Sequence, residues 1–145
     1  MKLKSLLLSL GALCAAISLQ AEPSVAGPKG GRLLETEPNR AEFFVTSDRK
    51  VEITFYDAAL KPVAPGDQVV TVIAEPADGK KPIALEKTAT GFVSQQSLPA
   101  GEPYRVVVQT RAQAGAKPKN FRVDLNLATC GGCQKAEYAC TCEDH

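Results

Sequence analysis

The sequence predicts an all-β protein, an antiparallel β-sandwich that is immunoglobulin-like in the broad sense. Three observations predict it. Val51–Tyr56 and Phe121–Leu127 alternate apolar and polar residues, the period-2 signature of a strand with one face in a core. Val69–Ile73 and Tyr104–Gln109 are rich in β-branched residues, which suit a pleated, packed surface. Turn chemistry recurs between these runs at intervals of about 8–12 residues, the rhythm of a sandwich or barrel. No window before residue 128 has helical periodicity.

The elements follow in order. Met1–Lys4 is a short basic start, Leu6–Leu19 is apolar, and Gln20–Pro23 turns polar, which together predict a secretory leader over residues 1–21. The apolar run is shorter than the roughly 20 residues a spanning helix needs, so no membrane insertion is expected after cleavage. The expected location is the periplasm, or the medium. Residues 22–30, with Pro and Gly, read as an extended linker. Arg32–Glu35, Ala41–Val45 and Val51–Tyr56 are the first strands, separated by Glu37-Pro38-Asn39 and Ser47–Lys50. After Pro62, Pro65 and Gly66 comes Val69–Ile73, closed by Pro76-Ala77-Asp78-Gly79. Ile83–Glu86 and Gly91–Ser94 are shorter strands. Tyr104–Gln109 follows Leu98-Pro99-Ala100-Gly101. Its first residue suits either a tyrosine corner, in which the hydroxyl bonds back to the preceding loop, or a plain strand start. Phe121–Leu127 completes a sandwich domain over residues 31–128. The tail, residues 129–145, is Gly-rich and polar, so its deletion is expected to leave the sandwich folded.

Composition excludes several functions. With Lys2 and Lys4 removed alongside the leader, 17 basic residues become 15 against 16 acidic ones. A near-neutral chain without a basic block offers no nucleic-acid surface. The chain has one His, at position 145, which removes His-dependent triads and multi-His metal sites. Gly30-Gly31 lacks the spacing of a phosphate-binding loop. No catalytic constellation is present, and the expectation is a protein that is not an enzyme.

The tail carries the chemistry. Cys130, Cys133, Cys140, Cys142 and His145 form the pattern C-x2-C-x6-C-x-C-x2-H. Each close pair can clip one ion between two thiolates, and the glycines at 131 and 132 permit the tight bend this requires. Four thiolates, with His145 as an optional further donor, suit Zn²⁺, and soft sulfur equally suits Cu⁺. The same four cysteines also suit disulfides in an exported chain, with three possible connectivities. Thiol redox exchange is a third reading, although the βαβ context of a thioredoxin-type site is absent.

Gly27-Pro28-Lys29-Gly30-Gly31-Arg32, Ala41-Glu42-Phe43-Phe44-Val45, Phe55-Tyr56-Asp57 and Lys61-Pro62-Val63 resemble a family of small exported β-domains associated with bacterial heavy-metal efflux systems. That family includes stand-alone periplasmic proteins and an extra domain on some membrane-fusion adaptor subunits. The resemblance covers residues 27–65. It implies metal traffic or metal tolerance, with an efflux complex in the membrane as a partner. The family often has His where Lys29 stands, and Lys does not ligate in the same way. The leading expectation is thus an exported metal-binding accessory protein (chaperone, buffer or tolerance factor) using the cysteine tail. The alternative is a structural or protein-interaction sandwich with a disulfide-stapled tail.

Overall fold

The computed structural model describes residues 24–142. The expected leader over residues 1–21 and His145 lie outside the described residues. Ten strands are present: β1 Val25–Ala26, β2 Arg32–Leu34, β3 Arg40–Val45, β4 Val51–Tyr56, β5 Val69–Glu75, β6 Lys81–Ile83, β7 Leu85–Lys87, β8 Gly91–Ser94, β9 Tyr104–Arg111 and β10 Lys119–Leu125. They form two antiparallel sheets, β1-β2-β3-β4-β8-β7 and β10-β9-β5-β6. Among the described residues there is no α-helix, and a single 3-10 turn, Glu137–Ala139, follows β10.

The alternation read from the sequence determines which side chains meet. Phe43, Val45, Val51, Ile53 and Phe55 from the first sheet join Val70, Val72, Val106, Val108, Val123 and Leu125 from the second in one buried cluster. The arrangement is sandwich-like, with the apolar faces of both sheets sharing a single core. The predicted strand over Ile83–Glu86 is instead two short strands, β6 and β7, which break at Ala84 and belong to different sheets. That break is how the chain crosses from one layer to the other.

The segment read as a linker is structured. Val25 and Ala26 pair with Leu33 and Arg32, making β1 and β2 a hairpin. Its turn encloses a carboxylate. Glu42 is fully buried. It accepts the Lys29 N–H at 3.0 and 3.1 Å to its two oxygens, the Gly31 N–H at 2.8 Å and the Tyr56 hydroxyl at 2.8 Å. A buried charge needs such donors, since an unpaired one costs several kcal/mol. Only glycine fits at 27, because a Cβ there would lie 2.2 Å from the Glu42 Cδ. The Gly27–Arg32 motif is therefore a cradle for Glu42. Thr54 and Tyr56 are also buried on the outer face of β4, a strand whose alternation predicted only one buried face. Burial and the Glu42 contact raise the Tyr56 hydroxyl well above its ordinary pKa.

The Tyr104 hydroxyl donates to the Pro99 carbonyl at 2.7 Å, so the corner forms. Beside it, the Arg49 guanidinium donates to Glu102 Oε1 and Oε2 at 2.5 and 2.9 Å and to the Pro99 carbonyl at 2.6 Å. Arg49 thus ties the β3–β4 turn to the loop before β9.

Candidate metal centre

After β10 the chain makes an antiparallel bridge, Thr129 to Ala136, around the first cysteine pair. The Cys130 N–H donates to the Lys135 carbonyl at 2.7 Å, and the Gln134 N–H donates to the Cys130 carbonyl at 3.0 Å. Gln134 takes a positive φ of 60° to close this knuckle. The 3-10 turn then returns the chain, and Cys140 and Cys142 arrive beside Cys130 and Cys133.

The four Sγ atoms all lie within 4.8 Å of one another. The Sγ separations are 3.1 Å for Cys130–Cys140, 3.6 Å for Cys133–Cys140 and 3.9 Å for Cys130–Cys142. Four sulfurs at about 2.3 Å from a tetrahedral zinc stand about 3.8 Å apart, so these distances match a shell that needs only small adjustment. The shortest separation is far beyond the roughly 2.05 Å of an S–S bond. Among the described residues these four cysteines are the group of ligating side chains that could hold an ion.

The backbone prepares two of the sulfurs for negative charge. N–H donors of Cys133, the Cys140 thiol and the Gly132 N–H pull Cys130 down to about 6. The Lys135 N–H leads a similar lowering at Cys133. Burial pushes Cys140 up to about 12, helped by its contact with Cys130. At Cys142 the bond with Cys140 acts downward, but desolvation and the neighbouring Cys130 and Cys133 sulfurs outweigh it, and the thiol is raised. Without a cation, the cluster keeps protons to separate its charges. A bound cation replaces those protons and stabilises four thiolates together.

The tail is joined to the core by residues between the two cysteine pairs. Tyr138 and Ala139 belong to the buried cluster. The Tyr138 ring meets Phe43 edge-on, with centroids 5.7 Å apart. The Tyr138 N–H donates to the Asn126 carbonyl at 3.2 Å and the Glu137 N–H to the Ala128 carbonyl at 2.9 Å. Tyr138 finds this place because β2 spans only Arg32–Leu34 and leaves the end of β3 uncovered. In the sequence, the one signal for this was a large aromatic residue in an otherwise small, polar segment.

The Lys29 ammonium bonds Glu52 at 2.8 Å, and the Lys29 backbone holds Glu42, so Lys29 serves the architecture. No helix among the described residues is long and apolar enough to cross a membrane. No protein-family model, no curated protein and no solved structure matches the chain.

Proposed function

We propose that the protein is an exported, non-enzymatic metal-binding accessory protein: an immunoglobulin-like sandwich in the broad sense whose C-terminal cysteines hold one ion as a chaperone, buffer or tolerance factor. The observation that carries this reading is the convergence of Cys130, Cys133, Cys140 and Cys142 within 4.8 Å. Four thiolates suit Zn²⁺, and soft sulfur equally suits Cu⁺. His145 is an optional further donor in this reading. The leader pattern supports a periplasmic or secreted location, and the resemblance over residues 27–65 supports metal traffic alongside a membrane efflux complex.

Intact mass spectrometry of periplasm-extracted protein tests the reading. Native conditions should show one added metal mass, lost on denaturation, on a chain beginning at or near Glu22. A chain four hydrogens lighter with no metal would instead establish the disulfide-stapled interaction module.

A further inference from the structure

The four sulfurs are unequal in access. Cys130 and Cys140 are 2% and 8% exposed, whereas Cys133 and Cys142 are half-buried. Each chelating pair thus contributes one inner and one outer sulfur. The inner pair is continuous with the core: Cys140 directly follows Ala139, which is 1% exposed.

The outer side is kept bare by glycine. A Cβ at Gly132 would stand 2.8 Å from the Cys142 Sγ and 3.9 Å from the Cys130 Sγ, and a Cβ at Gly131 would meet nothing within 4 Å. Any side chain at 132 would displace the Cys142 sulfur or cover it. The two outer sulfurs are also held unequally. Cys133 lies inside the knuckle and is hydrogen-bonded by the Lys135 and Thr141 backbones. Cys142 lies beyond both the knuckle and the 3-10 turn.

Resting on the metal-binding reading above, we propose that the ion is handed to a thiol-bearing acceptor across the outer edge formed by Cys142 and Cys133, while Cys130 and Cys140 act as the inner anchor. The acceptor is a soft donor of the same chemical class as the site, a protein or peptide with a pair of cysteine thiols. In the first step an acceptor sulfur bonds the ion, the bond from the ion to Cys142 breaks, and the acceptor's proton passes to the departing Cys142 sulfur. A second acceptor thiol repeats this exchange at Cys133. The two thiols of a second acceptor molecule then replace Cys130 and Cys140 by the same proton-for-metal exchange, and the ion leaves on four acceptor sulfurs. No electron is transferred, and every thiolate displaced takes the proton brought by the thiol that replaces it.

The test uses the reduced exported chain loaded with Zn²⁺, its zinc content measured before any acceptor is added. Transfer is followed with a synthetic dithiol peptide and with the same peptide carrying Ser in place of both Cys. The release rate should rise in proportion to dithiol concentration and stay at its basal value with the Ser peptide. Iodoacetamide applied to the zinc-loaded chain should alkylate Cys142 and Cys133 about tenfold faster than Cys130 and Cys140, since thiolate modification follows access. A release rate independent of dithiol, or equal alkylation of all four cysteines, would overturn the exchange edge while leaving the metal site standing. A chain that takes up no zinc at the outset would overturn the metal-binding reading itself.

Discussion

The Tyr138 hydroxyl accepts the backbone N–H of Val45 at 2.9 Å. Ninety-three residues separate the two partners, so this buried bond fastens the cysteine tail to the end of an early strand that β2 leaves unpaired. The ring fills space beside Phe43, and burial raises the hydroxyl above its ordinary pKa.

Removing that plug should destabilise the whole protein. Tyr138→Ala is expected to cost about 3–5 kcal/mol, the usual range for deleting a buried aromatic. Tyr138→Phe keeps the ring but leaves the Val45 N–H without its acceptor, at about 1–3 kcal/mol. Urea denaturation of both variants measures this. A Tyr138→Ala midpoint equal to wild type would show that the tail does not contribute to the core.

Glu42→Ala should be among the most damaging substitutions away from the cysteines. It leaves the Lys29 and Gly31 N–H groups and the Tyr56 hydroxyl without their shared acceptor. Bonds to a charged group contribute about 1.5–3 kcal/mol each, so a loss of at least about 3 kcal/mol is expected. Chemical denaturation is the measurement, and a cost under about 1 kcal/mol, the size of one ordinary hydrogen bond, would contradict the cradle.

Acid should weaken the fold through Glu102. The Arg49 guanidinium, with backbone N–H donors, lowers the Glu102 carboxyl from 4.5 to about 2. A depressed folded-state pKa contributes stability that is full above the unfolded value and is lost as pH falls through the folded one. The contribution should therefore be intact at neutral pH and drain away from about 4.5 down to about 2. Glu102→Gln should be less stable than wild type at pH 7 and nearly equal to it near pH 2. Urea midpoints of both proteins across that window check it, and a constant difference at all pH values would contradict it.

The strands were legible because their periodicity is local. Val51–Tyr56 and Gly91–Ser94 have the bounds the sequence suggests, and β9 runs two residues beyond Gln109 because its pairing with β5 and β10 continues. β10 starts two residues early and stops at Leu125, where the chain leaves the sheet for the knuckle. The four thiols were legible as a ligand set because two short chelating spacings place them near each other. The roles of Glu42 and Tyr138 were not. Glu42 sits in an alternating strand where a carboxylate reads as solvent-facing, and its burial depends on a turn eleven or more residues away. Tyr138 depends on a space at the end of β3 that exists only once β2 has stopped short. Neither partner is encoded by local spacing.

A competition titration reads whether the four cysteines together hold one ion. The fully reduced chain is titrated with Zn²⁺ against a chromophoric chelator, beside the Cys130→Ser, Cys133→Ser double variant. Wild type should withhold one equivalent of zinc from the chelator, and should do so less well as pH falls, because binding requires deprotonated thiols. The double variant, with half its sulfurs replaced by hydroxyls, should withhold none. Equal and weak competition by both proteins would contradict the metal site.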